Sequence, residues 1–180
     1  MKNVTPESDI RILKAGSCLS VSGKSTLTYH IGCTSESDIQ FRIYANTAAG
    51  FFSQEWLPLK AIDDVLTKAG GNFTSFALQP LFRGKSQNNP AFLLAVLQRE
   101  GLVARATDKK RCYGKLDAGG FIAEIKALID SNTSLNADGK LPKPAKTSDD
   151  KPAKKETANK AKASSKKATS KESGEQDSPS

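Results

Sequence analysis

A chain of 180 residues with 37% hydrophobic residues and a formal charge of +8 holds one ordinary globular domain plus a differently composed segment. No stretch approaches the roughly 18 apolar residues of a membrane helix, and the first residues lack an apolar signal core. Three cysteines (Cys18, Cys33, Cys112) without a C-x-x-C pair, together with a single histidine, argue against a zinc site of ordinary spacing and fit reduced thiols in a cytoplasmic protein.

Residues 1–9 are polar and read as a flexible N-terminus. Residues 10–14 (IRILK) have the make-up of a short strand, and the Gly- and Ser-rich stretch 15–25 reads as a loop. Its end, Gly23-Lys24-Ser25-Thr26, imitates a phosphate-binding loop. That motif needs a glycine five residues before the Gly-Lys pair and a helix afterwards. Cys18 occupies the glycine position and a strand pattern follows, so no nucleotide site is expected.

In 26–32, Leu27, Tyr29 and Ile31 alternate with Thr26, Thr28 and His30. In 38–45, Ile39, Phe41, Ile43 and Ala45 alternate with Gln40, Arg42 and Tyr44. Two period-two runs joined by 33–37 predict an antiparallel hairpin with one apolar face, and His30 falls on the polar, solvated one. Phe51, Phe52 and Trp56 lead into the first helix. They fit core packing between sheet and helix, or else a surface for a protein partner or for stacked bases.

Pro58 opens a helix with Leu59, Ile62, Val65, Leu66 and Ala69 on one side, closed by Gly70-Gly71. The adjacent Asp63 and Asp64 point about 100° apart on it and make a poor acid/base pair. No Ser/His/Asp or Cys/His set presents itself either, so the chain reads as no enzyme, with no catalytic residue, metal or cofactor. A short second helix is expected over 74–82, started by Asn72 or Thr74. Pro80 implies that it ends near Leu78 or that a new turn begins there.

The stretch 86–116 organises the rest. Asn89 serves as N-cap, Pro90 takes the first helical position, and Gly101 ends the helix. Leu102, Val103 and Ala104 start a strand, 107–111 turns the chain, and 112–116 returns it. From 83 to 115 there are eight basic residues against two acids, Glu100 and Asp108, whereas 1–134 as a whole carries 16 basic and 12 acidic residues. The positive excess is therefore local. A final helix over 119–130 follows, with Phe121, Ile122, Ile125, Leu128 and Ile129 on one face.

The passage Val96-Leu97-Gln98-Arg99-Glu100-Gly101-Leu102-Val103-Ala104-Arg105, followed by Asp108-Lys109-Lys110-Arg111, resembles the winged helix–turn–helix superfamily where a recognition helix passes into the wing. The likeness is at the level of the class. It covers about 30 residues, or about 60 with the two preceding helices. It implies a DNA-binding role in which Arg83, Lys85, Gln87, Asn88 and Asn89 stand at the approach to the recognition helix. Lys109, Lys110 and Arg111 would then form a phosphate-binding wing tip flanked by Arg105 and Lys115. The third helix, Ala91-Phe92-Leu93-Leu94-Ala95-Val96-Leu97, is too apolar to offer much base readout.

Residues 135–180 carry 11 Lys, no Arg and 7 acids, and no large apolar residue follows Leu141. Such a segment is expected to be a disordered Lys/Ala/Ser-rich tail that adds salt-dependent affinity for a polyanion. The fold class expected is α+β. An N-terminal antiparallel β-hairpin region (10–56) packs on a winged-helix-like unit of three helices plus hairpin and a C-terminal helix (57–134), and the basic tail follows (135–180). The function expected is nucleic-acid binding, with duplex DNA as partner, as a transcriptional regulator or an accessory or architectural factor. The alternatives are a single-strand or RNA binder and a protein-interaction module acting through Phe51, Phe52 and Trp56. No membrane partner is expected, and the last helix offers a face for a homodimer.

Overall fold

In the computed structural model, residues 10–141 are described; the expected flexible N-terminus 1–9 and the tail beyond 141 lie outside them. Strand β2 (Thr26–Cys33) runs antiparallel between β1 (Arg11–Leu19) and β3 (Ile39–Asn46). A two-residue strand β4 (Leu57–Pro58) pairs with Gln40 and Phe41, giving a four-stranded sheet of order β1-β2-β3-β4. Helix α1 (Leu59–Ala69), a 3-10 helix (Ser75–Phe82), helix α2 (Asn89–Arg99), the hairpin β5 (Val103–Arg105) and β6 (Tyr113–Lys115), and helix α3 (Gly119–Asp130) follow. The class is α+β.

β1 is nine residues long and takes in much of what the composition marked as loop. Residues 15–19 (Ala, Gly, Ser, Cys, Leu) have no apolar alternation, so only their pairing with 26–30 reveals them as strand. Gly16 is required there: a Cβ would stand 2.6 Å from the Tyr29 ring. The turn to β2 is closed by Ser20 N–H donating to the Ser25 carbonyl at 2.8 Å, and Gly23 takes φ 72°.

The expectation of one apolar face fails at His30, which is fully buried at 0% exposure. The second sheet face is covered as well. His30 stacks on Tyr44 at 4.4 Å and accepts a hydrogen bond from Arg42 Nε at 3.2 Å, while the Arg42 guanidinium lies 4.5 Å over Trp56. Residues 135–140 add to the cover. Leu135 N–H donates to the Ile12 carbonyl at 2.8 Å, and a Cβ on Gly139 would strike Ala15. The structured part thus extends beyond 134, because Leu135 extends the β1 edge.

The other face of the sheet packs on the helices. Leu13, Tyr29, Ile31, Phe41 and Ile43 share one core with Ile62, Leu66, Phe82, Leu93, Leu97 and Ile125, and the Phe41 and Phe121 rings lie 5.6 Å apart. The hairpin region and the helical region therefore form a single core. α1 ends at Gly70 with φ 79°, a left-handed turn that suits glycine. The 3-10 helix starts at Thr74, whose side chain accepts from Phe76 N–H, and continues through Pro80 without stopping at Leu78. Pro80 cannot donate an α-helical bond, and the chain stays in the tighter winding.

α2 begins one residue earlier than expected, with Asn88 at the cap, and ends at Arg99, two residues before Gly101, whose φ is 73°. Leu93, Leu94, Ala95, Val96 and Leu97 are buried in succession, so the helix is covered all round. α3 buries Phe121 and Ile125 and packs Ile122, Leu128 and Ile129 against the same core, so its apolar face is turned inward. No helix among the described residues is long and apolar enough to cross a membrane.

Candidate nucleic-acid interface

The β5–β6 hairpin forms as its residue types require. Val103 and Tyr113 are buried on the inner side, and the tip is closed by Ala106 N–H to the Cys112 carbonyl (2.9 Å) and Cys112 N–H to the Lys109 carbonyl (3.3 Å). Tyr113 also exchanges both backbone hydrogen bonds with Phe73 (2.7 and 2.9 Å), which ties the hairpin to the connection after α1. At the tip Arg111 adopts φ 65°, a left-handed conformation uncommon for a residue with a side chain. Lys109, Lys110 and Arg111 are exposed, and none makes an ion pair among the described residues. Arg105 projects from β5 with its guanidinium 5.8 Å from the centre of the Tyr113 ring. Asp108 is the one acid beside them.

The other acid of this stretch is turned inside. Glu100 accepts from the Tyr29 hydroxyl and pairs with Lys14 Nζ at 2.9 Å, and its side chain is 5% exposed. Its charge therefore does not offset the hairpin cations at the surface. Burial and the Glu100 carboxylate hold the Tyr29 phenol well above its ordinary range.

The remaining expected contacts divide. Lys115 is taken up by Asp63 at 2.6 Å and Thr67 at 2.9 Å, on the α1 side of the hairpin. Asn89 is buried; its Oδ1 accepts from Ser53 N–H at 3.0 Å and so secures the loop before β4. Asn89 is thereby withdrawn from the surface, whereas Lys115 stays exposed with its ammonium engaged within the fold. Lys85 lies 3.7 Å from Glu55, and Arg83 borders a groove between α1 and the 3-10 helix, away from the hairpin tip. Gln87 and Asn88 are exposed, and Asn88 joins Arg105 and Arg111 around a cleft.

That cleft was not legible in the residue pattern. One part, about 630 Å³, lies among Ser20, Ser22, Thr74, Asn88, Phe92, Arg105, Arg111 and Tyr113. A second, about 410 Å³, runs on past Cys18, Gln98 and Arg99. The two share Ser20, Val21 and Arg105, and no acidic residue lines either. Burial pushes the Cys18 thiol up, against the nearby Arg99 charge. The basic count of 83–115 included Arg99, but only the approach of the β1–β2 turn to α2 makes it part of a site.

Of the three aromatics before α1, Phe51 is 90% exposed. Phe52 packs against the core, and Trp56 lies beneath Arg42. The described residues hold no cluster of His, Cys, Asp and Glu suited to a metal ion. No protein-family model, curated protein or solved structure matches this chain.

Proposed function

We propose that this chain binds nucleic acid, duplex DNA included, by gripping the sugar–phosphate backbone through the β5–β6 hairpin. The observation that carries this reading is the convergence of Arg105, Lys109, Lys110 and Arg111 on one exposed hairpin, with no acid paired to any of them among the described residues. Cations held in that way exchange condensed counterions for contacts to phosphate, which yields affinity without sequence preference. The order of α1, the 3-10 helix, α2, hairpin and α3 agrees with a winged-helix arrangement in which the hairpin is the wing.

The departure from that arrangement defines the role. A recognition helix needs an exposed polar face to reach base edges in the major groove. α2 buries five residues in succession and exposes polar side chains only at its ends. The chain is accordingly an accessory or architectural factor rather than a sequence-reading transcriptional regulator. The 11 lysines of 135–180 add to the same polyanion affinity. Three unpaired cysteines suit a reducing compartment such as the cytoplasm.

Replacing Lys109, Lys110 and Arg111 together by Ala tests the reading on any duplex DNA between about 50 and 200 mM salt. The affinity should fall, and the slope against log salt should flatten by about 2–3, near 0.9 for each phosphate no longer neutralised. Unchanged affinity and slope would remove the hairpin from the interface.

A second reading is favoured by a different surface. Phe76 is 75% exposed beside a largely apolar groove of about 590 Å³, formed with Val65, Ala69, Ala77 and Pro80 and bordered by Lys68 and Arg83. An exposed aromatic at an apolar groove is a protein-docking feature. Recovery of a stoichiometric protein partner after nuclease treatment, abolished by Phe76→Ala, would support it.

A further inference from the structure

The geometry points to an unpaired, single-stranded stretch of nucleic acid as the occupant of the cleft between α2 and the β1–β2 turn. This inference rests on the nucleic-acid reading above and names the form of polynucleotide that the site takes.

A duplex is engaged by elements that protrude into its grooves, and the cleft is a recess. Its cations are spaced along a path: Arg111 at the hairpin tip, Arg105 midway, and Arg99 at the end of α2. Between them stand Ser22, Thr74, Asn88 and Gln98, which can donate to phosphate or to exposed base edges. Half-buried Phe92 offers a ring to the wider part, which the buried Tyr113 also borders. Cationic grooves that track a backbone, combined with aromatic rings, are the means by which single strands are held without regard to sequence.

Two further observations point to a ligand. The Tyr113 hydroxyl is buried, on a residue 2% exposed, and has no hydrogen-bond partner among the described residues. Such groups are nearly always satisfied, and Tyr113 borders the cleft. Arg111 holds its side chain at the cleft margin from a left-handed backbone, a kind of strain that concentrates at ligand sites. Glu100, the acid nearest in sequence to Arg99, is withdrawn to Lys14 and Tyr29, and no carboxylate lines the path.

Fluorescence anisotropy on the full chain decides the matter, using labelled oligo-dT, oligo-U and a DNA duplex of equal length at matched salt. The single strands should bind at least ten-fold more tightly than the duplex. Arg99→Glu should weaken single-strand binding more than ten-fold and duplex binding less than about three-fold, and Arg99→Ala should flatten the single-strand salt slope by about 0.7. Arg99 is exposed, so Arg99→Ala should keep the parent's unfolding midpoint and separates loss of contact from loss of fold. The stronger of the two single strands identifies DNA or RNA as the natural form. Equal or tighter duplex binding would overturn the inference. So would single-strand binding that survives Arg99→Glu but disappears in the Lys109→Ala/Lys110→Ala variant; that result would leave the hairpin reading standing. Absence of binding to all three probes would overturn both.

Discussion

Lys14 and Glu100, 86 positions apart, meet at 2.9 Å where β1 passes the end of α2. The same ammonium reaches Glu124 on α3 at 2.8 Å, and the same carboxylate accepts from the Tyr29 hydroxyl. Four elements are joined at this point. Removing the carboxylate leaves a buried phenol without its acceptor, so Glu100→Ala should lower unfolding stability by about 2 kcal/mol. Glu100→Gln, which retains an acceptor for Tyr29, should cost less. Burial opposes the Lys14 charge, but hydrogen bonds to Glu124 and Glu100 outweigh it and raise its pKa above 10.5. A raised lysine stabilises the fold below that pH, and the contribution disappears as pH climbs through the folded value. Urea titrations in alkaline buffer should show the decline in the parent protein and a smaller one in Lys14→Met.

His30 sets a limit at acid pH. Burial and the neighbouring Arg42 charge lower its pKa from 6.5 to about 4. The unfolded chain therefore binds the proton more readily than the folded one, and stability should fall as pH drops from 6.5 towards 4. The loss attributable to this residue approaches about 3 kcal/mol below that range. Denaturation midpoints across it should be measured beside His30→Phe. A parent slope no steeper than the variant's would exclude the histidine as the cause.

Arg111 separates stability from binding. Its left-handed backbone (φ 65°) costs a residue with a side chain about 1 kcal/mol relative to glycine. Arg111→Gly should therefore raise the thermal midpoint or leave it unchanged while weakening nucleic-acid binding. Arg111→Ala should weaken binding equally without the gain in stability. Loss of stability in Arg111→Gly would mean that the side chain supports the hairpin.

Lys115 provides the opposite case. Its ammonium is held by Asp63 at 2.6 Å and Thr67 at 2.9 Å. Lys115→Ala should lower stability by up to about 1 kcal/mol, as expected for a partly exposed pair, and leave the salt slope of binding unchanged. Lys110→Ala should flatten that slope by about 0.9 on duplex DNA at no cost in stability. Equal effects of the two on binding would place Lys115 in the interface.

Leu97 lies wholly inside the core that unites sheet and helices. Leu97→Ala should cost about 2–5 kcal/mol in a urea denaturation measurement, enough to unfold a marginally stable domain.

Much of this fold is written locally. Apolar alternation in β2 and β3, the glycines closing α1 and α2, and the apolar face of α3 depend on neighbours a few residues away, and each element stands close to where those signals place it. The hairpin tip and its cations were equally legible, because a basic turn between two short strands is a local pattern. β1 was legible only at its start: small residues carry no period, and the strand exists through its pairing with β2.

The site was decided at longer range. Sequence alone could count Arg99, Asn89, Lys115 and Glu100 as polar residues near a cationic turn, but could not assign their partners. Contacts across 36 to 86 positions bury Asn89 against Ser53, join Lys115 to Thr67 and draw Glu100 to Lys14. Burial of His30 has the same origin, since alternation predicts which residues share a sheet face and not whether a second layer covers it. Local pattern determined the elements and the cationic hairpin. Tertiary packing decided which charges remain at the surface, because a charge is neutralised by whatever the fold brings within a few ångströms of it, whatever the separation in sequence.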